Sequence, residues 1–168
     1  MSEQATLVLI KPDAIQRQLS GLVLARLAEA KLAMLGAKAA RVSRPLAEEH
    51  YRPLREKPFF GELIQYLCGQ LHGVDHVLAL VYRGEEAIAK IRQLAGATNP
   101  ERADPTTIRG AYGRVTTQGV MENVLHPASD EREAEREIKL WFRPEELLVA
   151  PYPTTSKILA QQTMTVWT

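Results

Sequence analysis

Two hydrophobic spacings alternate along this chain, and their interleaving constrains the fold more than any other feature. Short contiguous apolar runs rich in β-branched residues read as buried strands, whereas apolar residues recurring three and four apart read as helices with one buried face. Thr6 to Ile10 is a run of the first kind, stopped by Lys11-Pro12-Asp13. Leu19 to Lys31 is of the second kind: Leu19, Leu22, Val23, Leu27 and Ala30 share a face that Arg26 interrupts, with Ser20 near its start. Met34 to Val42 reads as a second strand, and Ala47 to Leu54 and Phe59 to Cys68 as short helices separated by Lys57-Pro58.

Val77 to Tyr82 is a strong strand that Gly84 ends, and Glu85 to Leu94 follows with helical spacing at Ile88, Ile91 and Leu94. Gly96 to Arg109 has no period and is rich in Pro, Thr and Asn, so it reads as a loop. Asn123 to His126 is a short extended piece. Asp130 to Phe142 is a helix with acids early and Arg136 and Lys139 later, as the helix dipole prefers. The order is βαβ, helices, βα, long loop, short strand, helix. Interspersed elements with connections that allow antiparallel pairing predict an α+β layer sandwich. A chain of 168 residues can bury a single core. We therefore expect one domain over residues 1–150 and a polar, Pro-containing tail over 151–168.

The net charge of +1 gives no global field toward nucleic acid or an anionic membrane. The one cysteine, Cys68, rules out an intrachain disulfide and fits a reducing compartment. The N-terminus carries no signal-peptide pattern, and no apolar run is long enough to span a bilayer. A cytoplasmic location is expected.

Four histidines are present, and their spacing matches no metal-ligand pattern. His126 follows the apolar pair Val124-Leu125 and precedes Pro127-Ala128-Ser129, a setting at a strand end where reactive groups are displayed. Glu137 lies on the following helix. A carboxylate beside an imidazole can fix its tautomer and leave one nitrogen as nucleophile, although spacing alone puts Glu137 on a solvated helix face. Lys11, Arg92 and Arg109 lie beside turns or loops, where guanidinium and ammonium groups can bind phosphate oxygens, and Thr98 can add a hydroxyl. Taken singly, each reads as a surface charge. There is no Gly-rich phosphate loop, so separated side chains would have to build such a site. Phe59 and Phe60 read first as core, though an exposed phenyl face can stack on a nucleobase.

Six segments in order resemble one family. Lys11-Pro12-Asp13 is similar to a KPD motif. His50-Tyr51 followed by Lys57-Pro58-Phe59-Phe60 resembles HY…RPFF. Arg92 with Gly96-Ala97-Thr98-Asn99-Pro100 resembles R…GATNP, and Thr107-Ile108-Arg109-Gly110 resembles TIRG. Asn123-Val124-Leu125-His126 with Ala128-Ser129-Asp130 resembles NxxH[GA]SDS, and Glu137-Ile138 with Leu140-Trp141-Phe142 resembles EIxLWF. On these motifs, spanning Thr6 to Leu148, the chain is identified as a member of the nucleoside diphosphate kinase family.

The resemblance implies a ferredoxin-like βαββαβ antiparallel sheet with additional helices. It implies that His126 is the phosphorylated nucleophile in a ping-pong transfer between ATP, GTP or other triphosphates and nucleoside diphosphates. Glu137 would hold its ring, with Ser129, and Tyr51 would sit beside it. Lys11, Arg92, Thr98 and Arg109 would bind phosphates, Asn123 with Lys11 would contact the ribose, and Phe59 would stack on the base. Mg²⁺ would arrive on the nucleotide phosphates, with no resident metal. Family members assemble as homo-hexamers or tetramers, and the tail is expected to pack on a neighbouring subunit.

The chain departs from the family pattern at 68–76 and 111–122, both longer than usual, and at Ala111, where an aspartate is expected. It also departs at Pro127, which moves the serine one place, so that Ala128 holds its position by count and Ser129 by motif. We expect the turn after His126 to bulge and Ser129 to reach the imidazole or a phosphate oxygen. Two other classes compete with this reading: a low-turnover nucleotide-binding paralogue acting as an interaction or regulatory protein, and a nucleic-acid-binding module. The second would want a basic surface and stacking aromatics on a strand, and neither is visible.

Overall fold

The computed structural model describes residues 3–156. Its centre is a four-stranded antiparallel sheet in the order β2-β3-β1-β6. The strands are β1 (Glu3–Ile10), β2 (Ala33–Arg41), β3 (His76–Glu85) and β6 (Leu125–Pro127). Two helices, α1 (Pro12–Gln16) and α2 (Ser20–Ala28), join β1 to β2; α3 (Arg44–His50) and α4 (Phe60–Leu67) join β2 to β3. After β3 come α5 (Ala87–Ala95), α6 (Ile108–Tyr112) and a small hairpin of β4 (Arg114–Val115) and β5 (Met121–Glu122). The order closes with β6 and α7 (Glu131–Trp141). This is the expected α+β, ferredoxin-like arrangement, with α3 and α4 as additions.

The contiguous apolar run of β1 is explained by burial on both faces. Leu7 and Leu9 face one core with Val77, Ala79 and Val81 of β3, covered by Ile64 and Leu67 of α4 and Ile138 and Trp141 of α7. Val8 and Ile10 face the other, with Leu80 and Tyr82, covered by Val23 and Leu27 of α2 and Ile91 and Ala95 of α5. The period of two sends alternate residues to opposite layers, so β1 is held from above and below. Its C-terminal end delivers Lys11, and the adjacent β6 delivers His126.

Several local readings need correction. Gly84 does not end β3, which pairs with β1 as far as Glu85; the chain turns instead at Glu86, whose φ is 53°. The reading of 47–54 as one helix gives way to α3, a break at Tyr51 and a 3-10 turn at Arg52–Leu54. The loop from Gly96 conceals a 3-10 turn at Pro100–Arg102 and the start of α6, which Thr107 caps by accepting the Gly110 amide. Asn123 to His126 is not continuously extended: Val124 sits at φ 71°. Nor does the chain bulge after His126. Pro127 lies in β6 opposite Val8, and the next amide, Ala128, donates to Leu7 O at 3.2 Å. Alternate amides of a strand point to opposite sides, so the missing N–H of Pro127 would have faced the open edge.

Beyond α7, a 3-10 turn at Pro144–Glu146 leads back along β2, where the Leu148 amide donates to Leu35 O at 2.8 Å. Tyr152, in the first part of the expected tail, packs against the first core, while residues 157–168 lie outside the described residues.

Candidate active site

The site is built at the ends of β1 and β6. Lys11 leaves β1 as the residue before α1, whose Pro12 suits a first helical turn where no amide bond is required. Its backbone amide donates to Val124 O at 2.9 Å, and Asp13 Oδ2 accepts the Val124 amide at 3.1 Å. Between these anchors Val124 makes a tight three-residue turn in which the Leu125 amide reaches Asn123 O at 2.7 Å. A β-branched residue at positive φ is strained, and such strain persists only where the surroundings over-determine it. The turn sets Asn123 on one side and His126 on the other.

These residues open into a cavity of about 600 Å³. Its walls bring together Lys11, Tyr51, Phe59, Arg92, Thr98, Arg109, Asn123, His126, Ser129 and Glu137, every site residue singled out in the sequence. The loop that closes one wall depends on Gly96, at φ 82°, where a Cβ would lie 2.2 Å from Thr107 Oγ1. Gly96 O in turn accepts from Arg109 at 2.9 Å, and Leu125 O accepts from the same guanidinium at 3.1 Å.

His126 is held by Glu137, whose Oε1 lies 2.9 Å from Nε2. The solvated reading of Glu137 is thereby overturned: it is buried at 3% exposure, on the face of α7 turned inward. Burial pushes its carboxyl up to about 7, against the pull of His50 and Arg136. Burial also holds His126 down to about 3, helped by the positive charges of Lys11, Arg109, Arg136 and Arg92. The imidazole is therefore neutral near pH 7. With an ionised Glu137 accepting the Nε2 proton, the lone pair resides on Nδ1.

Lys11 and Arg109 are buried rather than surface charges, at 4% and 7% exposure. Lys11 donates to Asn123 Oδ1 at 2.7 Å and lies 4.1 Å from the centre of the Tyr66 ring. Burial brings its ammonium down to about 8 and the Arg109 guanidinium down to about 10. Asn123 Nδ2 donates to Thr98 O at 3.0 Å. Arg92 and Thr98 are exposed on the cavity wall. Phe59 corrects its core reading: it is 48% exposed on the rim, while Phe60 packs on the core.

Ser129 lines the cavity, but its hydroxyl donates to Asp130 Oδ2 at 2.8 Å, not to the imidazole or Glu137. Ala128 packs in a buried cluster with Ile88 and Ala134. Glu137 Oε2 is left buried without a partner among the described residues.

Four contributors were given no role in the sequence reading. His50 is buried with its ring centre 4.5 Å from that of His126 and 4.6 Å from that of Tyr51, and Trp141 Nε1 approaches its Nδ1 at 3.2 Å. Arg136 bonds Glu49 O, His50 O and Glu133. Asp13 secures Val124, and Tyr66 lies beneath Lys11. His50 and Asp13 stood inside recognised motifs, and the Glu133–Arg136 spacing was legible on the helix. Tyr66 carried no signal. His50, His126 and Glu137 cluster with ligand atoms within 4.8 Å. The one carboxylate of that trio already serves His126, and the surrounding cations make the cavity suited to an anion rather than to a resident metal.

A family model described as Nucleoside diphosphate kinase matches residues 4–147. The nucleoside diphosphate kinase of Bacillus licheniformis is 43% identical over 86% of this chain and 92% of its own length. That of Pyrococcus horikoshii is 43% identical over 90% of this chain and 93% of its own. Among solved structures, the Borrelia burgdorferi nucleoside diphosphate kinase, a transition-state mimic with bound vanadate and ADP, superimposes with a TM-score of 0.78 at 32% identity, over 90% of this chain and 93% of that one. The Halobacterium salinarum enzyme in complex with CDP gives 0.77 at 38%, over 87% and 91%. Fold, cavity and relatives agree, and the chain belongs to the nucleoside diphosphate kinase family.

Proposed function

We propose that this chain, a nucleoside diphosphate kinase, transfers its phosphoryl group through Nδ1 of His126. The nitrogen lone pair forms the N–P bond as the bond from the γ-phosphorus to the β–γ bridging oxygen breaks, and the diphosphate leaves with that electron pair. A second nucleoside diphosphate then reverses the step, which makes the kinetics ping-pong. The observation that carries this reading is a neutral imidazole, tied at Nε2 to Glu137 at 2.9 Å, in a cavity ringed by cations.

Phosphoryl transfer asks mainly for positioning and neutralisation of oxygen charge. Lys11, Arg92 and Arg109 supply positive charge and Thr98 a hydroxyl. Asn123, with Lys11, faces the sugar. Phe59 offers its face to any base, so purine and pyrimidine nucleotides such as ATP, GTP and CDP all fit. Tyr51, whose phenol burial keeps protonated, stands at the histidine pair. The divalent metal that members of the family use is taken to be Mg²⁺ carried in by the nucleotide phosphates. The working form is a cytoplasmic homo-oligomer, a hexamer or a tetramer. The low-turnover alternative is the weaker reading, because the relatives are named as kinases and the cavity retains every principal side chain.

Incubation with γ-labelled ATP tests the proposal. The expected product is a phosphoenzyme labile in acid and stable in base, absent from His126→Ala, which still binds nucleotide. An acid-stable label, or a label retained by the variant, would overturn it.

A further inference from the structure

The two stretches that are longer than the family pattern meet at one buried carboxylate. The hairpin of β4 and β5 has two residue pairs, Arg114↔Glu122 and Val115↔Met121. So short a ladder cannot hold a position by itself. Its turn is closed locally, by the Gly119 amide on Thr116 O at 2.9 Å and the Val120 amide on Thr116 Oγ1 at 3.1 Å. Gly119 and Met121 line the nucleotide cavity, and Asn123 follows directly. Beside Arg17, which bonds Tyr112 O at 2.7 Å and lies 3.9 Å from Glu122 Oε2, the hairpin is tied to the rest of the chain through Glu122 itself, which is 4% exposed. Its Oε2 accepts from Arg114 at 2.6 Å, inside the hairpin, and its Oε1 lies 3.1 Å from His72 Nε2, in the other long stretch.

His72 is itself well fixed. It sits in a loop folded back on Gly69, at φ 76°, where a Cβ would come within 1.7 Å of Val74 O. Its ring centre lies 4.8 Å from that of Tyr66, edge-on, and its Nδ1 is buried without a partner among the described residues. Tyr66 in turn lies under Lys11 Nζ, which donates to Asn123. One imidazole thus braces both halves of the Lys11–Asn123 pair, one through Tyr66 and the other through Glu122.

We infer that His72 is a positioning residue for nucleotide binding: by donating its Nε2 proton to Glu122 it holds the hairpin as a wall of the cavity and keeps Asn123 on Lys11. The inference rests on the kinase reading above, and it acts on binding rather than on the chemical step.

Three variants separate donation from packing. His72→Phe keeps a ring against Tyr66 without a donor, His72→Gln returns an N–H near the position of Nε2 without the ring, and His72→Ala removes both. Losing one hydrogen bond to a charged group predicts that KM for ATP and Kd for ADP rise about tenfold in the Phe and Ala variants. Both should return to within about threefold of the parent in the Gln variant, with kcat little changed throughout. Unchanged KM and Kd in all three, with a lowered Tm alone, would make His72 a structural residue and overturn the inference; so would a loss of kcat at constant KM. Should His72→Ala fail to fold, Glu122→Ala removes the same contact from the acceptor side, and an unchanged Kd there counts equally against it. The ADP titration is run by calorimetry on the full chain and needs no turnover. A parent without phosphoenzyme would therefore defeat the kinase reading, while binding would still decide the role of His72.

Discussion

Glu137 has two oxygens in two different situations, one on His126 and one buried without a partner. With its carboxyl pushed up to about 7, it takes a proton just below neutrality. A protonated carboxyl donates to Nε2, which moves the ring proton to Nδ1 and removes the lone pair. The rate of phosphoenzyme formation should therefore fall as pH drops below about 7, although His126 itself, held down to about 3, is not yet charged. Glu137→Gln accepts from Nε2 at every pH, so single-turnover profiles should show its acid limb displaced downward, at a lower plateau. An acid limb unchanged in the variant would assign it elsewhere. The stability sign follows from the same shift. A carboxyl raised from 4.5 to about 7 binds its proton more tightly when folded, so its contribution is lost as pH rises through that window. The melting temperature of Glu137→Gln should gain on the parent over the same interval. Asp13 gives a second test at this scale. Asp13→Ala leaves the buried Val124 amide without its 3.1 Å acceptor, which should cost about 1–3 kcal/mol in urea unfolding. Asp13→Asn, which keeps an acceptor, should lose much less; equal stability of Asp13→Ala and the parent would deny the anchor.

The element that carries Glu137 starts two residues after the serine, with the cap between them. Asp130 caps α7, its Oδ1 accepting the Glu133 amide at 2.9 Å, and Ser129 donates to the other oxygen of that carboxylate. Pro127 explains the displacement. It continues β6 where the motif expects a turn, so Ala128 points into the core and the hydroxyl falls beside the cap. We expect Asp130→Ala to lower stability by about 1 kcal/mol. Ser129→Ala should lose at most one exposed hydrogen bond, about 0.5–1.5 kcal/mol, with little change in phosphoenzyme formation. Thermal melts and single-turnover rates on both variants check this; a large rate loss in Ser129→Ala would return the serine to the reacting groups. The existence of α7, β1 and β3 was legible because each is long or strongly periodic, although β1 begins earlier, at Glu3, and β3 runs on to Glu85. The hairpin of β4 and β5 was not, since two-residue strands carry no period, and α6 was masked by the polar loop it ends.

At the scale of the molecule, the sheet leaves β2 and β6 as edges, and among the described residues the segment after α7 runs beside β2, with the Leu148 amide on Leu35 O and Lys38 on Glu146. Light scattering is expected to give a homo-oligomer larger than a dimer; a monomer at micromolar concentration would refute that assembly. Two truncations sort the tail. Removing residues 157–168 should weaken assembly if they pack on a neighbour. Removing 151–168 should also lower the melting temperature, because Tyr152 contacts the subunit's own core and its ring centre lies 5.4 Å from Lys139 Nζ.

The sequence by itself determined the layer architecture, through two hydrophobic periods, and the reaction class, through six motifs in order. It also named the principal side chains around the cavity. Tertiary structure alone decided their electrical state. Local spacing put Glu137 on a solvated face and read Lys11 and Arg109 as surface charges, and only the packing of α7, β1 and the 96–109 loop into one cavity removed them from water. Burial is a sum over neighbours distant in the chain, so no window of sequence contains it. The same holds for the positive φ of Val124, imposed by Lys11 and Asp13 more than a hundred positions away, and for the meeting of His72 with Glu122. Each side of those contacts was visible as a residue type, but only the fold made them neighbours.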